Sequence, residues 1–195
     1  MAQKSRFFLG LAGLALLFFG AVFAYNALAG RVNLATGPAL PEERDRAATG
    51  AEPRGRRAPD FALTDWDGNS LRFSDLVADG KPIVLNFWAS WCVACRNGKP
   101  ALENAFLDFG EDVKFVMLAL ADGVRATVET EKRYVEEGAF SFPVYFDTLQ
   151  EGVRAYGIRG IPVTMFIDRN GYIVTEMHGA IGEAALRQAI EFLLS

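Results

Sequence analysis

Cysteine and histidine are scarce in this 195-residue chain, which has two cysteines, Cys92 and Cys95, and one histidine, His178. One chain therefore lacks the ligands for a structural zinc site of four cysteines, or of two cysteines and two histidines. The same scarcity excludes a disulfide-scaffold fold. No excess of basic residues exists either: the formal net charge is −4, with no clustered Lys and Arg to serve as a nucleic-acid footprint. Neither a GxGxxG nor a GxxxxGK[ST] sequence is present to cradle a nucleotide phosphate, and no internal repeat is visible. What is plentiful is apolar side chain, 51% of residues against 23% charged, as in a folded globular protein.

Charge is unevenly placed, about +4 over residues 1–57 and −8 over residues 58–195, so the segment expected to fold is acidic. Residues 1–6 carry Lys4 and Arg6, and Phe7 to Ala29 then run for 23 residues without a formal charge. As a helix that run spans roughly 34 Å, enough for a hydrocarbon core of about 30 Å. Basic residues at its short end predict a cytoplasmic N-terminus, with everything beyond residue 30 on the outer face of the cell membrane. The alternative is a signal peptide cleaved after Ala27-Leu28-Ala29. The length of the run favours a single-pass transmembrane anchor, because a signal h-region has about 7–15 residues. Residues 30–57 mix Pro38, Pro41 and Pro53 with many charges and few apolar side chains, the composition of a flexible linker.

The expected domain is 58–195. Phe61–Leu63 and Ser70–Phe73 flank Asp65-Trp66-Asp67-Gly68-Asn69, a hairpin signal. Ile83–Trp88 is a near-continuous apolar run, suited to a central strand buried on both faces. Helix is expected over Val93–Phe109, strand over Val113–Leu120, helix over Val124–Glu137, strand over Val144–Phe146 and a short helix over Gln150–Ala155. Strands Val163–Ile167 and Tyr172–Met177 follow, joined through Asp168-Arg169-Asn170-Gly171. A terminal amphipathic helix carries Leu186, Ala189, Ile190 and Leu193. Alternating strands and helices that end in a hairpin make an α/β sandwich with a mixed sheet.

Both cysteines fall in Trp91-Cys92-Val93-Ala94-Cys95, at the junction of the buried strand and the following helix. Residues i and i+3 share a helix face, so one disulfide opens and closes there with little backbone movement. Cys92, at the helix N-terminus, faces unpaired N–H groups and the positive dipole end that favour thiolate, and is read as the nucleophile. Cys95, one turn inside, is expected to be the more buried and to resolve the mixed disulfide. An inert thiol pair and a metal site shared between two chains are the competing readings.

The run Asn86 to Cys95, with Pro100 after it and Gly160-Ile161-Pro162-Val163-Thr164 far along the chain, resembles the thioredoxin superfamily. The apolar N-terminal run, Pro59-Asp60-Phe61 and the Asp67-Gly68 hairpin are similar to its TlpA/ResA-type membrane-anchored thiol-disulfide oxidoreductases. The resemblance implies a thioredoxin-like three-layer sandwich, and a redox-active Cys92–Cys95 disulfide with no further cofactor. It implies a cis bond before Pro162, with the backbone of Ile161 pairing with an extended substrate beside Trp91. A disulfide-bearing extracytoplasmic protein would be the substrate and an integral membrane thiol donor the partner, with cytochrome c maturation as one setting and a monomer expected. Asn86 stands where many thioredoxins have a buried Asp, and is expected to be an amide satisfying its neighbours. Gly98 stands where the cytochrome-maturation branch has Glu. Arg96 and Lys99 are read as solvated helix residues, and His178 as a surface residue. A copper carrier of the same fold would use CxxxC with a late His. A peroxidase would need Pro and Thr where this chain has Leu85 and Ala89.

Overall fold

The computed structural model describes residues 55–195. The expected anchor over 7–29 and nearly all of the 30–57 linker lie outside the described residues. Among the described residues, no helix is long and apolar enough to cross a membrane.

Eight strands form one sheet: β1 (Arg56–Arg57), β2 (Ala62–Thr64), β3 (Ser70–Arg72), β4 (Ile83–Trp88), β5 (Lys114–Ala119), β6 (Val144–Phe146), β7 (Val163–Ile167) and β8 (Tyr172–His178). Among the described residues, five helices accompany them: α1 (Phe73–Ala78), α2 (Val93–Phe109), α3 (Val128–Glu137), α4 (Glu151–Tyr156) and α5 (Glu183–Leu194). The order across the sheet is β1-β8-β7-β4-β5-β6-β2-β3. β4, β5 and β6 are parallel, and their crossovers are α2 and α3. β7 and β8 run antiparallel as a hairpin beside β4, and the β2–β3 hairpin closes the other edge. The sheet is mixed, as the alternating pattern predicts.

β4 is buried at every position, and its side chains divide between two cores. Val84 and Trp88 join Phe115, Met117 and Phe166 beneath Leu102 and Ala105 of α2, Val135 of α3 and Leu186 and Ile190 of α5. Ile83, Leu85 and Phe87 join Phe61, Leu63, Val116 and Met165 beneath Phe73 of α1 and Tyr156 of α4. Helices thus cover both faces, and a strand buried on both sides has no polar face to alternate.

Several boundaries depart from the sequence reading. Arg56 and Arg57, assigned to the linker, pair with Ile173 and Tyr172, so the fold begins at least two residues before Ala58. β3 stops at Arg72 and Phe73 opens α1, a helix the apolar pattern did not announce. Its start is held by Asp75, whose carboxylate accepts from the Arg72 N–H at 3.0 Å, and by Asp60, which accepts from the Ser74 N–H at 2.9 Å. α3 starts at Val128 and not at Val124, because the Asp122 carboxylate draws the N–H groups of Val124, Arg125 and Ala126 into a loop. Thr127 then caps the helix by accepting from the Thr130 N–H. The β7–β8 turn formed as expected, with Asp168 accepting from the N–H groups of Asn170 and Tyr172 and Gly171 at φ 82°, where a side chain is disfavoured.

Two buried helix glycines differ in what surrounds them. A Cβ at Gly152 would meet Phe61 at 2.9 Å and Leu118 at 3.1 Å, whereas at Gly98 its nearest neighbour would be Ala180 at 3.6 Å, an ordinary contact. Gly152→Ala is expected to cost about 1–3 kcal/mol through overpacking. Gly98→Ala is expected to stabilise by up to about 1 kcal/mol through helix propensity. Urea unfolding of both variants checks the opposite signs.

Candidate active site

The central strand delivers the chain to a tight turn in which the Cys92 N–H donates to Ala89 O at 3.1 Å, and α2 begins one residue later. Cys92 is the N-cap of α2, and its Sγ accepts from the Cys95 N–H at 3.1 Å. A sulfur in that position takes up one of the donors a helix start leaves unpaired, an environment that favours negative charge. Cys92 and Cys95 are joined as a disulfide with Cα atoms 5.3 Å apart.

The Ile161–Pro162 bond is cis, as the resemblance implied. Ile161 O lies 3.6 Å from Cys92 Sγ, so the start of β7 and the start of α2 meet at the sulfur. Of the residues expected to frame the groove, Ile161 and Pro162 therefore stand beside the disulfide. Trp91 precedes Cys92, is 39% exposed, and carries the Arg125 guanidinium over its ring at 4.2 Å.

One expectation about the sulfurs is corrected. Cys92 is 5% exposed and Cys95 9%, so the first cysteine is not the more open of the two. Helix position alone would leave Cys92 uncovered, but a segment 69 residues away in sequence, the Ile161–Pro162 loop, lies against it. The distinction between the two cysteines rests on capping geometry instead of exposure.

Asn86 is 2% exposed and donates from Nδ2 to Thr164 Oγ1 at 2.7 Å, so this buried amide ties β4 to its partner strand β7 two residues after Pro162. Lys99 is not merely solvated: its ammonium donates to Gly138 O at 2.7 Å and sits 3.8 Å from the Phe140 ring centroid. Arg96 is exposed, as expected of a solvated helix residue, and its guanidinium donates to Ser90 O at 3.5 Å. His178 is exposed and lies 3.2 Å from Glu176, as expected of a surface residue. Among the described residues, no three His, Cys, Asp or Glu side chains group to hold a metal ion. Leu85 and Ala89, standing where a peroxidase would carry Pro and Thr, are both fully buried.

Sequence reasoning missed Glu131. Its carboxylate is 0% exposed and accepts from the Ser90 N–H at 3.0 Å and from the Ser90 hydroxyl at 3.0 Å. A signal was available, since Val128, Glu131 and Val135 recur at i, i+3 and i+7, which puts an acid on the apolar stripe of α3.

Residues 54–176 match the profile of the AhpC/TSA family. The chain belongs to this family. Within it, the chain is 30% identical over 139 residues to the thiol-disulfide oxidoreductase ResA of Halalkalibacterium halodurans, covering 71% of this chain and 76% of that protein. ResA of Bacillus subtilis is 29% identical over 140 residues, covering 71% and 75%. Among solved structures, a protein assigned as the thiol:disulfide interchange protein DsbE from Chlorobium tepidum is 29% identical. It aligns at a TM-score of 0.64 over 74% of this chain and 100% of its own. A secreted disulfide oxidoreductase of Mycobacterium tuberculosis is 25% identical with a TM-score of 0.59, covering 68% and 96%. This AhpC/TSA member has a thioredoxin-like α/β fold, is similar to the ResA-type branch, and is a thiol-disulfide oxidoreductase.

The carboxyls around this framework titrate in opposite directions. Burial pushes those of Glu131 and Asp147 up, whereas the Val124 and Arg125 N–H groups hold that of Asp122 down at about 2. For Glu131 and Asp147 the folded state binds the proton more tightly than the unfolded chain, so their contribution falls as pH rises above the ordinary carboxylate range. Asp122 acts the other way: its stabilisation is complete above the unfolded value and is lost as pH falls toward about 2. The urea midpoint is therefore expected to be higher at about pH 5 than at about pH 7.5, and to decline again below about pH 4.

Proposed function

We propose that this protein reduces disulfides in extracytoplasmic protein substrates, with Cys92 as the attacking thiol and Cys95 as the resolving thiol. The observation that carries the assignment is the Cys92 sulfur at the N-cap of α2, accepting from the Cys95 N–H and lying 3.6 Å from Ile161 O. In the dithiol form, Cys92 as thiolate attacks one sulfur of the substrate disulfide. A Cys92–substrate disulfide forms and a substrate thiolate leaves, taking up a proton. Cys95, giving up its proton, then attacks the Cys92 sulfur, releases the second substrate thiol and leaves the Cys92–Cys95 disulfide. Two electrons and two protons pass to the substrate in all.

Trp91, Ile161 and Pro162 frame the groove. A strand of substrate lying across the Ile161 backbone would bring its sulfur toward Cys92, and the exposed Trp91 ring offers an apolar platform at the side. Residues 7–29 are read as a single-pass anchor and the segment after them as a tether that ends before Arg56. The outer face is oxidising, so a reductase there must be recharged by an integral membrane thiol donor, and tethering keeps it near that source. The similarity to a secreted mycobacterial disulfide oxidoreductase supports an extracytoplasmic role, and apocytochrome c is the substrate class that the resemblance to TlpA/ResA-type proteins implies.

In membranes, Cys95→Ser is expected to accumulate covalent adducts through Cys92 that dissolve on adding dithiothreitol, and Cys92→Ser is expected to form none. Alkylation trapping in intact cells is expected to find the wild-type pair at least partly reduced. Adducts through Cys95 would overturn the assignment of roles. A wholly oxidised pair, together with a potential near about −120 mV, would make the protein a disulfide donor and overturn the direction.

A further inference from the structure

Exchange as just described uses Cys92, Cys95 and the Ile161–Pro162 loop, and leaves unused a carboxylate that reaches the same turn from the other side. Glu131 projects from the first turn of α3 and is fully buried. Each hydrogen bond that its carboxylate accepts comes from Ser90: from the N–H at 3.1 and 3.0 Å, and from the hydroxyl at 3.0 Å. Burying an anion against a single neutral residue is a poor way to stabilise a fold, since replacing such a group with an apolar one of like volume is often neutral or favourable. Its address is informative, because Ser90 lies two residues before Cys92 inside the turn closed by the Cys92 N–H and Ala89 O.

We propose that Glu131 is a positioning residue for the dithiol chemistry: by gripping Ser90 it fixes the turn that presents Trp91 and Cys92, and its charge opposes the thiolate that the helix start promotes. This inference rests on Cys92 being the attacking thiol. Its chemical consequence is direction. A stabilised thiolate makes the reduced form of a CxxC pair more stable and the protein a stronger oxidant, so a buried negative charge behind the turn biases the pair toward giving electrons away. It supplies from α3 an acid near the active site, although Gly98 leaves α2 without one.

Other charged groups face the same turn. Asp122 is held by its own loop through the N–H groups of Val124 and Arg125, and Tyr134 lies one turn further along α3. Arg96 donates to Ser90 O, and the Arg125 guanidinium lies over the Trp91 ring. The two arginines favour thiolate and Glu131 counters them, so removing Glu131 leaves the balance to the cations and the helix N-terminus.

The test is the pH profile of iodoacetamide alkylation for the reduced full-length chain, with the modified cysteine mapped by mass spectrometry. Glu131→Gln keeps the shape and removes the charge. Its Cys92 profile is expected to shift to lower pH by about half a unit or more, equivalent to about threefold faster alkylation below the midpoint. Its equilibrium with glutathione is expected to move at least about threefold toward the dithiol. Profiles and equilibria that superimpose on wild type, whatever happens to Tm, would overturn the inference. Glu131→Met, of similar reach and without polar atoms, serves if the Gln variant does not fold. Failure of both to fold would make Glu131 a structural residue and would also overturn it. Alkylation of Cys95 before Cys92 in the wild type would instead sink the assignment of roles on which the inference rests.

Discussion

Everything in this site depends on a sulfur serving as a helix cap. Cys92 accepts the Cys95 N–H at the start of α2, and the donors a helix start cannot pair internally are what make a thiolate tolerable in a pocket where the residue is only 5% exposed. For that cap to be aimed, the strand before it must not move. β4 meets this by being buried along its whole length, with alternate side chains in the two cores, so its last residue is held from both sides before the chain turns into α2.

Three supports converge on the cap from different parts of the chain. The Ile161 carbonyl comes from the start of β7, Asn86 ties β4 to Thr164 just after Pro162, and Glu131 holds Ser90 from α3. The first two are neutral and the third carries an ionisable carboxyl. That difference matters chemically, because geometry alone would make the two sulfurs meet, whereas their preference for thiol or disulfide depends on charge and hydrogen bonding close by. A CxxC motif is thus common chemistry, and its direction is a property of the surrounding shell.

Where the sequence could be read, it was read through local rules. The IVLNFW run, the helical spacing of apolar residues in α5 and the Asp-Arg-Asn-Gly turn each carry their structure within a few residues, and they formed where expected, as did the helix over Val93–Phe109. Boundaries set by side chains folding back on the backbone were missed. Asp122 took three N–H groups that a helix starting at Val124 would have left free, and Asp60 and Asp75 organised α1 from an apparent strand end. β1 was missed because two exposed arginines have no apolar pattern, and only the edge of β8 makes them a strand.

By itself the sequence determined the order of the elements other than β1 and α1, the CxxC at a strand-to-helix junction and, through its resemblance, the chemistry. The elements and the junction follow from period, spacing and turn composition, which act over a few residues. Tertiary structure decided what covers each sulfur and which charges face them. Cys92 is covered because the Ile161–Pro162 loop, 69 residues further on, folds against it, and Glu131 reaches Ser90 across 41 residues of chain. Desolvation and electrostatic contact depend on distance in space, which the local pattern around either residue does not contain.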